Sequence, residues 1–146
     1  MKTLLVLLIL LASCSTHRMQ VGQQQNTPVV ISVAGISNLN SVGGADVLIN
    51  FTNTSGRTIN YLVFVVEAYN RVGDPVRCEI KRTSTVNLRA TGPYQHGRGT
   101  SLFNPGRWQA VIYNRSIREI RIKQIIIEYA NRQEEIIAEK DIIYSR

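Results

Sequence analysis

The sequence predicts an all-β chain: one antiparallel β-sandwich of about seven or eight strands, following a cleaved signal peptide and a flexible tether. Three observations carry this. Residues 45–51 alternate, with Val47, Ile49 and Phe51 on one side and Asp46, Leu48 and Asn50 on the other, which is the period of a half-buried strand. Residues 58–69 and 117–129 are rich in Val, Ile and aromatics, a composition that favours strand over helix. Turn residues recur at intervals of about 8–12, the rhythm of a sandwich.

Each element follows in order. Val29, Ile31 and Val33 alternate and open the domain, which spans residues 29–146. Asn-, Ser- and Gly-rich residues 38–44 and Asn53-Thr54-Ser55-Gly56 are turns. Residues 58–69 are apolar on both faces and predict a central strand. Gly73-Asp74-Pro75 breaks the chain. Val76, Cys78 and Ile80 then alternate with Arg77, Glu79 and Lys81, predicting a half-buried strand with Cys78 inward. Residues 85–89 form a short strand with Val86 and Leu88 inward. Residues 91–106, with four Gly and two Pro, predict a long loop. Trp108, Ala110 and Ile112 share parity, so Trp108 is expected in the core. In residues 117–129 the isoleucines change parity, and a bulge near Gln124 reconciles them. Residues 134–144 fit a helical face or, better, a strand returning through Asn131-Arg132-Gln133.

The N-terminus is a different kind of segment. Lys2 precedes eight unbroken apolar residues, 4–11. A spanning helix needs about 20, so the run has the length of a signal-peptide core. It ends in Leu11-Ala12-Ser13-Cys14, which resembles the lipobox of bacterial lipoproteins. That resemblance implies a signal peptide over residues 1–13, cleavage before Cys14, and a diacylglycerol thioether on the Cys14 sulfur. Two or more acyl chains anchor a protein stably to a bilayer. Ser15 stands where, in Gram-negative lipoproteins, an Asp would favour inner-membrane retention, so the resemblance implies the outer membrane if the host has one. Cys14 and the polar residues up to 28 predict a tether that cannot form a core.

A second resemblance rests on Asn53-Thr54-Ser55-Gly56, Ala68-Tyr69-Asn70-x-Val72-Gly73-Asp74, Cys78, Thr91-Gly92-Pro93 and Trp108-x-x-Val111-Ile112-Tyr113-Asn114, with Tyr129. These resemble small bacterial secreted or membrane-tethered domains of unknown function with an immunoglobulin-like sandwich. The resemblance implies the fold and transfers no catalytic residue.

Chemistry is sparse. The domain has one Cys, Cys78, and one His, His96. That is too few for a metal site, which takes three or four clustered ligands, so neither metal nor cofactor is expected. Cys78 and His96 could form a nucleophile pair, but the strand parity points Cys78 at the core. Glu67 interrupts an apolar run and is expected to reach solvent or an Arg. Gly97-x-Gly99 lacks the context of a phosphate loop. Asn50, Asn53 and Asn114 match the N-glycosylation pattern by chance and turn chemistry. The net charge of +7 falls to +6 without Lys2. Arg115, Arg118, Arg121 and Lys123 form one basic row and Arg71, Arg77, Lys81 and Arg82 another. Sharing a face, they would attract anions. The sequence therefore predicts a non-catalytic envelope lipoprotein. Its partners would be the bilayer, through acylated Cys14, and an envelope protein or anionic envelope component; nucleic acid is excluded by export. Two alternatives remain: a periplasmic enzyme or enzyme inhibitor, and a receptor-blocking surface lipoprotein of phage or plasmid type.

Overall fold

The computed structural model describes residues 27–101 and 103–145. The expected signal peptide, Cys14 and nearly all of the tether lie outside the described residues. Strands run in the order β1 (Val29–Leu39), β2 (Gly44–Asn53), β3 (Ile59–Tyr69), β4 (Pro75–Val76), β5 (Thr85–Tyr94), β6 (Gly106–Tyr113), β7 (Glu119–Tyr129), β8 (Glu134–Ala138) and β9 (Ile143–Tyr144), with a 3-10 turn at Glu139–Asp141. One sheet has the order β6-β2-β1-β9. The other has the order β4-β3-β7-β8, with β5 also on β3. The chain is an all-β sandwich of two sheets: consecutive strands pass from sheet to sheet at β2–β3, β5–β6, β6–β7 and β8–β9.

β3 is central, pairing with β5 along one edge and β7 along the other. Its Leu62, Phe64 and Val66 are fully buried, whereas Tyr61, Val63, Val65 and Glu67 on the outer face are half-buried. Phe51 of the facing sheet lies 5.4 Å from Phe64 and 5.0 Å from Tyr94, ring centre to ring centre. Each fully buried Ile, Leu or Phe contributes about 1.5–3 kcal/mol, and among the described residues no disulfide adds to this core, Cys78 being a free thiol.

The bulge expected near Gln124 is present. Val65 pairs with Gln124 and Val66 with Ile122, leaving Lys123 as the extra residue. Ile120 and Ile122 before it, and Ile125 and Ile127 after it, all face inward.

Several expectations are corrected. Of the predicted strand at 76–81 only Val76 is in a strand, the two-residue β4 with Pro75. Cys78 is buried as expected, but within a turn, where Cys78 N–H donates to Thr83 O and Arg82 N–H to Cys78 O; Ile80 is therefore 66% exposed rather than inward. β5 continues to Tyr94 across a cis Gly92–Pro93 bond, so the loop predicted at 91–106 is shorter. Gly99 in that loop sits against β2, where a Cβ would stand 1.9 Å from Phe51 O; only Gly permits that approach. Trp108 is half-buried at the sandwich edge rather than enclosed. Ala110, with φ of 48°, lies where the pairing with β2 shifts register, yet Trp108 and Ile112 keep the expected shared side, opposite Val47 and Ala45. The segment 134–144 is a strand only as far as Ala138; it then crosses to the other sheet, where β9 pairs parallel with β1, so the sandwich is not wholly antiparallel.

Candidate functional site

The sandwich has two loop ends, and the chain enters at one of them. Val29 pairs with Asn53, and Thr54 N–H donates to Pro28 O, so the first described residues, Thr27 and Pro28, sit beside the turns at 54–58 and 130–133. β1 carries the chain 11 residues to the other end, about 35 Å at strand rise.

That far end is built by four turns, three of which share a chemistry. Asn40, Asn70 and Asn114 each turn a side-chain oxygen onto the backbone two residues ahead. Their Oδ1 atoms accept from Val42 N–H at 3.1 Å, Val72 N–H at 3.0 Å and Ser116 N–H at 2.9 Å. Asn favours such turns because its amide mimics a peptide group. The turn at 114–118 joins the others. Asn114 N–H donates to Gly43 O at 3.0 Å, Arg115 Nη2 to Ser41 O at 3.0 Å, and Arg118 N–H to Tyr69 O at 2.8 Å. Asn114 Nδ2 donates to Arg77 O at 3.0 Å, and Glu79 N–H to Tyr113 O at 2.8 Å.

Six cations of the two predicted rows meet here: Arg71, Arg77, Lys81, Arg82, Arg115 and Arg118, all exposed. Among the described residues none of them pairs with a carboxylate within 4 Å. Asp74 and Glu79 are the acids on these turns. Arg71 and Arg118 flank an open cleft of about 270 Å³ completed by Asn70, Val72 and Ser116. The other two members of the rows are elsewhere. Arg121 and Lys123 lie on the sheet, bridged to Glu119 and Glu139. The rows thus share a loop end and not a sheet face.

Sequence reasoning missed a second property of this end. Val42 is 67%, Val72 80% and Ile80 66% exposed, each at a turn tip. The signal was available for the first two, as apolar residues inside Asn/Gly turns; Ile80 was hidden by a false strand alternation.

The other candidates do not assemble. Cys78 stands at this far end, where its Sγ accepts from Lys81 and Tyr113 N–H at 3.4 Å. Burial pushes the thiol up, but the N–H groups of Lys81, Tyr113 and Ile80 and the Lys81 charge outweigh it and hold the thiol below its ordinary value. His96 is at the opposite end, where its Nδ1 accepts from Gly56 N–H at 3.2 Å. Glu67 accepts from Tyr69 OH at 2.5 Å, which raises the Tyr69 phenol. Asn53 is buried and donates to Arg57 O and Tyr94 O, and Asn114 holds its own turn, so both are structural. Among the described residues no group of three or more His, Cys, Asp or Glu is placed to hold a metal ion. No protein-family model matches the chain, and neither a curated protein nor a solved structure matches it.

Proposed function

We propose that this chain is a lipid-anchored protein of the bacterial envelope. Cys14 carries the acyl chains, and the sandwich is a non-catalytic binding module presenting its basic loop end away from the anchored membrane. The reading is supported by Leu11-Ala12-Ser13-Cys14 behind eight apolar residues, taken with the entry of the chain at the end opposite the unpaired cations. A polar tether of 14 residues reaches about 45 Å when extended, so the module stands off the bilayer. In a Gram-negative host, Ser15 in place of an Asp favours the outer membrane.

Metabolic labelling with a clickable palmitate analogue tests the anchor. The wild-type chain takes the label and Cys14→Ala does not, leaving an uncleaved or soluble product. A mature N-terminus at Ser15 without acylation, found by mass spectrometry, overturns the reading.

A further inference from the structure

The loop end combines two properties that are usually kept apart on a soluble surface. Of the eight large hydrophobic residues exposed among the described residues, Leu39, Val42, Val72 and Ile80 gather here. Scattered exposed aliphatics are ordinary, but Val42, Val72 and Ile80 occupy turn tips of adjoining loops, with Leu39 at the end of β1, and stand among six cations that have no acidic partner among the described residues. The turns are stiff, held by Asn side chains and by backbone bonds to 114–118, so presenting the tips costs little further ordering.

We propose that this end docks on the headgroup layer of an anionic bilayer. Val42, Val72 and Ile80 enter the interface, where apolar side chains leave water. Arg71, Arg77, Lys81, Arg82, Arg115 and Arg118 meet the lipid phosphates, with the fork of each guanidinium suited to two phosphate oxygens. A hydrated anionic wall polymer would satisfy the cations and give the aliphatic tips nothing to enter, and for that reason the bilayer is favoured. The surface acts in this way whether or not Cys14 is acylated. With acylation, which rests on the function proposed above, the chain holds two bilayer surfaces, one at each end.

The test uses the mature chain, residues 14–146, kept free of acyl groups by Cys14→Ser. It is expected to co-sediment with phosphatidylcholine vesicles containing phosphatidylglycerol, not with phosphatidylcholine alone, and to release as salt screens the attraction. Arg71→Gln with Arg118→Gln should weaken binding by about fivefold for each cation removed. Val72→Ser with Ile80→Ser should weaken it several-fold at every salt concentration, leaving the salt dependence intact. Arg89→Gln with Arg98→Gln, on the sheet face and at the N-terminal end, should bind as wild type. Circular dichroism checks that every variant retains its sheets. No affinity for the anionic vesicles, or equal affinity in the Arg71/Arg118 variant, overturns the proposal. Binding to isolated cell-wall polymer without binding to vesicles also overturns it. Neither outcome bears on Cys14, which its own labelling experiment decides.

Discussion

Trp108 shows how one side chain serves two environments. Its ring packs edge-on against Phe64, 5.9 Å between ring centres, while its Nε1–H donates to Arg89 O at 2.9 Å. It therefore ties β6 to β5 across the sandwich edge. A fully enclosed aromatic costs about 3–5 kcal/mol on truncation. Half burial reduces the expected loss for Trp108→Ala to about 2 kcal/mol in chemical denaturation. Trp108→Phe should isolate the hydrogen bond at about 1 kcal/mol. Asp46 is the second informative residue. Its carboxylate accepts from Arg107 Nη2 at 2.7 Å and from Ala110 N–H at 2.8 Å, and these bonds, Arg107's first, hold its pKa below the ordinary aspartate value. A group with a depressed folded pKa stabilises above its unfolded value, near 4, and loses that contribution as pH falls through the folded one. The Tm of Asp46→Asn should therefore lie below wild type at neutral pH, and the gap should close as the pH drops below about 4. A constant gap down to strongly acidic pH would show that ionisation is not the cause.

At the scale of elements, legibility tracked the length of the hydrophobic period. β2, β3 and β7 were readable because each spans ten or more residues with inward-facing aliphatics. The parity change in β7 exposed its bulge, since a one-residue slip turns every later side chain to the other face. Deleting Lys123 should force Ile120 and Ile122 out of the core or break the pairing with β3, costing about 4 kcal/mol or more. Lys123→Ala removes only the exposed bridge to Glu139 and should cost well under 1 kcal/mol. Equal unfolding midpoints for the two variants would show that the extra residue is dispensable. The segment 76–81 misled for the opposite reason. Alternation over six residues needs no sheet partner to arise, and here the backbone bonds of Cys78 with Thr83 and Arg82 closed a turn instead. β5 was cut short because Gly92 and Pro93 are strand breakers by composition, yet they sit at an edge where the ladder tolerates them. The basic site was legible as residues and not as a place, because only the Asn-built turns bring 71–82 beside 115–118.

For the whole molecule, the C-terminal crossover decides which edges stay open. β9 covers β1 at Val30 and Ile31, Ser145 N–H extends the ladder to Ile31 O, and Ile142 is buried between the sheets. Beyond Ile31 the rest of β1 carries no charged residue to discourage edge pairing. Ending the chain after Ala138 should lower the Tm and produce self-association visible in sedimentation velocity. A monomeric product with unchanged Tm would show that β9 seals nothing. The direction of β1 matters in another way. It runs from the point where the chain enters to the loop end that carries the cations. A pull between those two ends acts along the strand, at right angles to the hydrogen bonds that join it to β2. Those bonds are then loaded together in shear instead of being peeled one at a time. The same ladder that closes the core makes the domain a stiff mechanical link between whatever holds its two ends.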